Sequence, residues 1–391
     1  MKVICIDISG KVYKYDEALY NSIVHSVRDE DEIICLTPYD VQSTYNDVSF
    51  RLISLIPKNK ANSSHLVKRF LKALECLINY CRLLVFVKNE QPDIIHLQWL
   101  PFLEQHCMIE FYVLKFIKKI SFNTKIILTV HNIFPHDIST VKREKYRERF
   151  AAFGKVLDFY IVHTKESFSE LKQEFGIDSE KISVINHGVF MPSKLPIRSR
   201  ENEGVCRFLL YGYQFFYKGT DLLIDALRGL TDNVKKRIEV RVIGQFSPDL
   251  YEKVKELQLA NVYINNSFVN DDVLYEEIVN SDVLLFPYRK ISQSGALLLG
   301  LYFNKPMILS DLPSFRETLS DYPEEMFFEN GNVESLKKAM LNYLNSNIVY
   351  KDNLLNKLKR VKEDNSWEKA AQLTLQLYYG VSNGRNIELL K

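Results

Sequence analysis

Short runs of β-branched and aliphatic residues recur along the 391-residue chain, separated by longer stretches in which apolar positions return every three or four residues. Val3–Ile8, Glu32–Leu36, Ile94–Leu97, Lys125–Val130, Phe159–His163 and Ile182–Ile185 make a first series, and Arg207–Tyr211, Glu239–Ile243, Val262–Ile264, Val283–Phe286 and Met307–Leu309 a second. Continuous apolar runs alternating with helical periods predict parallel strands buried beneath crossover helices. Between the series the polar stretch SKLPIRSRENE, residues 193–203, predicts a linker. The expected fold class is therefore α/β, with two doubly wound, Rossmann-like domains at 1–192 and 204–365. Such domains, facing one another, place the carboxyl ends of both sheets on a central cleft. A last helical pattern, SWEKAAQLTLQLYY within 366–391, is expected to pack back onto the first domain.

Composition narrows the partners. Lys and Arg total 51 against 49 Asp and Glu, so the chain has no overall charge to draw it to nucleic acid, and none is expected as a partner. The six cysteines are scattered without a Cys-x-x-Cys pair and read as reduced, buried thiols, which points to a cytoplasmic protein with no metal cluster. MKVICIDIS enters a strand pattern directly, without the apolar segment of a signal peptide. Arg82 and Lys88 interrupt the best candidate for a membrane span. The Asp29-Glu30-Asp31 run stands before a predicted strand rather than after one and reads as a solvated turn. Gly10 ends the first strand-to-helix turn without the spaced glycines of a dinucleotide fingerprint, and no cofactor is expected.

Two stretches carry candidate chemistry. In LLYGYQFFYKGTDLLIDAL, Leu209–Leu227, a strand ends at Gly212, a loop follows, and Lys218 and Gly219 stand immediately before an amphipathic helix, where a lysine can neutralise a phosphate at the helix N-terminus. In SQSGALLLGLYFNKP, Ser292–Pro306, an apolar crossover helix begins at Ser294 and Gly295, small residues that let an anion approach unpaired backbone N–H groups. On the first domain His131 and Asn132 follow one strand, His163 ends the next and His187 sits in the turn after that. These, with Gly10, His96 and Trp99, are candidates for lining the acceptor side.

Taken in order, these segments resemble the family 4 glycosyltransferases of the GT-B fold. YKGTDLLIDAL is similar to that family's Lys-Gly-x-Asp-Leu-Leu signature, SGALLLGLYFNKPMILSDLPSFRE to its nucleotide-sugar segment, and TVHN and VINHGV to segments of its first domain. The resemblance implies a metal-independent, retaining hexosyltransferase that moves a sugar from a nucleotide-diphosphate sugar to a saccharide or lipid-linked saccharide acceptor in surface polysaccharide or glycolipid synthesis. Lys218 would stabilise the departing diphosphate, with Ser294 and Gly295 at the phosphates or sugar and Glu317, of SFRE, at the ribose or sugar. Two departures stand out. A pair of glutamates common in the family falls at Ile291 and Leu299, neither of which accepts a side-chain hydrogen bond, and a common arginine falls at Tyr213. Arg289 or Lys290 is the candidate replacement for that charge. The alternatives carried with this reading are a GT-B sugar-nucleotide epimerase and a noncatalytic sugar-nucleotide-binding subunit. Basic, aromatic helical patterns at 64–88 and 111–120 offer a surface for peripheral contact with the inner face of a membrane.

Overall fold

The first series of apolar runs forms strands β1 (Lys2–Ile6), β2 (Glu32–Leu36), β3 (Ile94–Leu97), β4 (Lys125–Thr129), β5 (Phe159–Val162) and β6 (Ile182–Val184). The second forms β7 (Cys206–Tyr211), β8 (Ile238–Ile243), β9 (Val262–Asn265), β10 (Val283–Phe286) and β11 (Met307–Ser310), and a two-residue edge strand, β12 (Phe327–Phe328), completes it. This is a computed structural model, and it describes residues 1–38, 65–105, 107–134, 140–189, 195–199, 204–255, 261–291 and 294–383. Most of the expected linker, residues 384–391 of the last segment, and Ser64 with Ser292 lie outside the described residues. The chain divides into two compact units, Met1–Gly188 with Trp367–Lys391, and Val189–Ser366.

In the first unit the helices are α1 (Tyr13–Val24), α2 (His65–Glu90), α3 (Pro101–Glu104), α4 (Ile109–Ile120), α5 (Thr140–Phe153) and α6 (Lys165–Phe175). In the second they are α7 (Thr220–Arg228), α8 (Asp232–Lys235), α9 (Pro248–Lys255), α10 (Asp271–Asn280), α11 (Gly295–Tyr302), α12 (Pro313–Thr318), α13 (Val333–Asn345) and α14 (Ile348–Asp364). The last, α15 (Trp367–Ser382), belongs to the first unit and packs on α1.

Both sheets are parallel and six-stranded. Their orders are β2-β1-β3-β4-β5-β6 and β12-β11-β10-β7-β8-β9. The central strands β3, β10 and β11 are buried on both faces, which is why they read as unbroken apolar runs rather than as alternation, whereas the edge strand β9 is only partly buried. The topology fixes where a ligand belongs. In the second unit β7 is followed by β8 and β9 on one side, while β10 returns to its other side, so the chain reverses its winding between β7 and β10. In open α/β sheets that reversal point is the binding crevice. Lys218 follows β7, and Tyr288 and Arg289 follow β10. In the first unit the corresponding point lies between β1 and β3.

Some polar residues are structural. Glu110 on α4 is wholly buried and accepts from Tyr80 Oη of α2 at 2.7 Å and from the Phe102 and Leu103 amides of α3 at 3.1 and 2.7 Å. Burial pushes its pKa up to about 7, while those donors favour the ionised form. His96, expected at the surface of the site, instead sits inside β3 with no exposure. Its Nδ1 pairs with Tyr378 Oη of α15 at 2.6 Å and its Nε2 with Thr129 Oγ1 of β4 at 2.7 Å. With both nitrogens committed to the core, it joins the sheet to α15 and does not line a ligand site.

Candidate functional site

The loop after β7 is held rigid before any ligand arrives. Gln214 donates to the Gly212 carbonyl at 2.7 Å and accepts from Thr220 Oγ1 at 2.7 Å, tying the start of the loop to the start of α7. Between them Phe216–Lys218 form a 3₁₀ turn, and the Arg289 amide of the β10 loop donates to the Tyr217 carbonyl at 2.7 Å. Gly219 closes the turn at φ +70°. A Cβ there would stand 1.8 Å from the Pro287 carbonyl oxygen, so the β7 and β10 loops touch backbone to backbone at this residue.

This packing encloses Lys218, whose relative exposure is 7%. Its ammonium donates to Tyr288 Oη at 2.6 Å and, more weakly, to the Tyr211 carbonyl at 3.4 Å. A Cβ on Gly212 would lie 3.0 Å from the same Nζ. No carboxylate among the described residues pairs with it, and burial lowers its pKa to about 8. A buried cation held by neutral oxygens alone is unfavourable by itself and leaves one of three N–H donors for a ligand. The chemistry that fits is an anion.

The other expected donor contacts divide. Ser294 is the N-cap of α11, its Oγ accepting from the Leu297 amide at 3.1 Å, so this hydroxyl already serves the helix. Next to it, a Cβ on Gly295 would meet no heavy atom within 4 Å, and the helix start is open. Arg289 is a correction. It was named as a replacement for the family arginine's charge, and that charge is already paired: it grips Asp221 through two N–H···O bonds of 2.8 Å and also donates to the Phe216 carbonyl. Asp221 therefore holds this arginine and does not cap α7. Glu317 is half-buried on α12, and Tyr213 is exposed, its ring stacked 6.2 Å from Phe215. Tyr288 was not foreseen, because it stands beyond the end of β10 and meets Lys218 only through the sheet topology.

In the first unit His131, His163 and His187 do converge, after β4, β5 and β6. Ring centroids are 5.1 Å apart for His131 and His163 and 5.5 Å for His163 and His187. Tyr15 of α1 is the hub: its ring lies 4.7, 5.3 and 5.1 Å from the three imidazoles and 5.2 Å from Trp367. Tyr15 was missed because a helix residue in a 3.6-residue pattern reads as ordinary core. Asn132 is half-buried beside His131, and Trp99 stands 5.9 Å from it. Gly10 is placed by Asp7, whose carboxylate accepts its amide at 2.8 Å.

Burial holds all three imidazoles neutral: His131 well below the ordinary range, His163 down to about 4 and His187 to about 3. Each is deprotonated in the fold while its unfolded counterpart takes a proton near pH 6.5, so stability is fully present above that pH and is lost as pH falls. We expect the unfolding free energy measured in urea to fall between pH 7 and pH 5, by up to about 2 kcal/mol for each of His163 and His187. The drop should shrink in His187→Leu; equal slopes in that variant and the parent would contradict the assignment.

Comparison with known proteins bears on the family and the fold. Residues 194–365 match the model for "Glycosyl transferases group 1", and residues 56–190 match "Glycosyltransferase Family 4". The chain belongs to the GT-B glycosyltransferases. Among solved structures, the glycosyltransferase from Rickettsia africae ESF-5 aligns over 97% of each chain with a TM-score of 0.66 at 17% identity. Anabaena Alr3699/HepE, solved in complex with UDP, aligns over 97% of this chain and 100% of its own with a TM-score of 0.65 at 12% identity. In sequence, a GDP-mannose:glycolipid 4-beta-D-mannosyltransferase of Xanthomonas campestris is 23% identical over 226 residues, which is 55% of this chain and 60% of that protein.

Ile291 and Leu299 are the two positions where the resemblance led us to expect glutamates. Both are partly buried and pack on the core of the second unit, and the Ile291 carbonyl accepts from Ser314 Oγ at 2.8 Å. These side chains strengthen packing under α11 and supply no polar contact to a sugar. Among the described residues no cluster of His, Cys, Asp or Glu is arranged to hold a metal ion, and no helix is long and apolar enough to cross a membrane.

Proposed function

We propose that this protein is a retaining glycosyltransferase that transfers a sugar from a nucleotide-diphosphate sugar to an acceptor hydroxyl. The observation that carries the reading is the Lys218 ammonium, buried at the reversal point of the second sheet and held only by neutral oxygens. A diphosphate leaving group needs its growing charge stabilised more than it needs protonation, and Lys218 with the open start of α11 at Gly295 supplies that. In the proposed step the bond from the anomeric carbon to the phosphate oxygen breaks while the bond to the acceptor oxygen forms on the same face. The acceptor proton passes to the departing phosphate, so no protein carboxylate becomes glycosylated. His131 and Asn132, at the carboxyl edge of the first sheet, are assigned to substrate hydroxyls.

The glycolipid acceptor named for the Xanthomonas relative and the UDP bound by the Anabaena structure support a pathway of surface polysaccharide or glycolipid synthesis. The test is product analysis. Incubation with UDP-, GDP- and ADP-sugars and a saccharide or lipid-linked acceptor should release nucleoside diphosphate and give a product with the donor's anomeric configuration by proton NMR. Isomerised donor formed without acceptor would point to an epimerase, and binding without consumption to a noncatalytic subunit.

A peripheral membrane contact is part of this proposal. Tyr80 and Glu110 join α2 to α4, and these helices expose Phe70, Val85, Tyr112 and Phe116, with Phe70 69% exposed, beside the exposed Lys115 and Lys119. Apolar side chains among lysines suit an anionic bilayer surface. The protein should float with vesicles rich in anionic lipid, and Phe70→Asp should reduce that fraction several-fold. Protein left in solution at low salt would remove the membrane from the account.

A further inference from the structure

The three buried histidines are not equivalent, and their hydrogen bonds fix where each proton lies. His163 Nδ1 stands 2.9 Å from the Ile185 carbonyl oxygen, which can only accept, so this nitrogen carries the hydrogen. Surrounded by apolar and aromatic groups, His163 is a neutral imidazole with one hydrogen to give. Its Nε2 is therefore a bare lone pair. That nitrogen lies 3.3 Å from Nδ1 of His131, which must then be the donor. The proton of His131 is thus committed to Nδ1, and its Nε2, buried and meeting no hydrogen-bond partner, is left as an acceptor.

We propose that His163, anchored on the Ile185 carbonyl, is a positioning residue that locks His131 in the Nδ1–H tautomer, so that His131 presents a bare Nε2 lone pair to a hydroxyl of the saccharide substrate. Tyr15 supports the lock by setting its ring edge-on to His131 at 88°. A donor tautomer would instead point an N–H at the same place and suit a carbonyl or phosphate oxygen. The relay thereby selects a hydroxyl hydrogen as the contact His131 makes. The role given to the lone pair rests on the transferase reading above; the tautomer itself does not.

The test separates the two. Protein labelled with ¹⁵N-histidine, observed by long-range proton–nitrogen NMR correlation at neutral pH without substrate, reports the tautomer of each ring, and His131→Gln identifies the signal of His131. We expect His131 in the Nδ1–H form. It should remain so in His163→Gln, whose side-chain oxygen can accept from His131, and convert to Nε2–H in His163→Phe, which offers no acceptor. Turnover with the donor found by product analysis should fall roughly tenfold in His163→Phe and recover in His163→Gln. An Nε2–H signal for His131 in the unsubstituted protein, or an Nδ1–H signal that survives His163→Phe, overturns the relay. If His163→Phe does not fold, the spectrum of the unsubstituted protein decides alone. A correct tautomer in a protein that consumes no sugar nucleotide leaves the relay standing and removes the transferase.

Discussion

Replacing Lys218 with Met is expected to lower transfer about 10²- to 10³-fold, the usual effect of removing a preorganised charge from a developing anion, while making the protein more stable. The second half of that result distinguishes a functional lysine from a structural one. Burial moves the Lys218 pKa from 10.5 to about 8, so the folded state holds a proton less tightly than the unfolded chain does. Below pH 8 the whole of that penalty is present, and it fades as pH rises toward 10.5. At pH 7 Met should therefore stabilise by up to about 3 kcal/mol, less what the bond to Tyr288 contributes, with the gain narrowing in alkaline buffer. Urea unfolding at pH 7 and pH 9.5 measures it. Undiminished transfer would remove Lys218 from the mechanism, and a less stable Met variant would make its ammonium a structural link to Tyr288.

Gly219→Ala should be the most damaging single methyl group at this site. The new Cβ would overlap the Pro287 carbonyl oxygen at 1.8 Å, and the backbone at φ +70° disfavours any side chain. Relief requires the β10 loop to move, and that loop carries Tyr288 and Arg289. We expect a loss of roughly 3–5 kcal/mol in urea unfolding and loss of the donor site with it. Gly295→Ala is the control, because its Cβ enters open space at the first turn of α11. Stability should hold or rise by about 0.5–1 kcal/mol there, while affinity for a sugar nucleotide falls if the helix start receives phosphate. Equal stability of the two variants would contradict the contact between the β7 and β10 loops.

What the sequence made legible follows from which forces act locally. Strand bodies were placed within a residue or two because the central strands are buried on both faces, so the apolar run is the strand. Only β12 escaped, since Phe327 and Phe328 are too few to make a pattern. Ser294 and Gly295 were read correctly as a helix start, because capping chemistry is local. Side-chain partners were not legible. Nothing local linked Arg289 to Asp221, which lie 68 positions apart and bind each other across the sheet edge. His96 was named for the acceptor side, but both of its ring nitrogens are taken up by Tyr378 and Thr129 in the core. Lys218 was found, and its burial was not, because Tyr288 arrives from a strand on the other side of the reversal point.

Proton-linked calorimetry probes the Lys218 site itself. Titration with UDP, GDP and ADP at pH 8, in two buffers of different ionisation enthalpy, measures protons taken up on binding. At that pH Lys218 is about half protonated in the free protein, and a diphosphate beside it should raise its pKa and complete the protonation. One nucleotide should therefore bind with uptake of about half a proton, and Lys218→Met should abolish both the uptake and most of the affinity. Absence of binding by every nucleotide, or binding that leaves proton balance unchanged and is equally strong in the Met variant, would contradict a diphosphate site at Lys218.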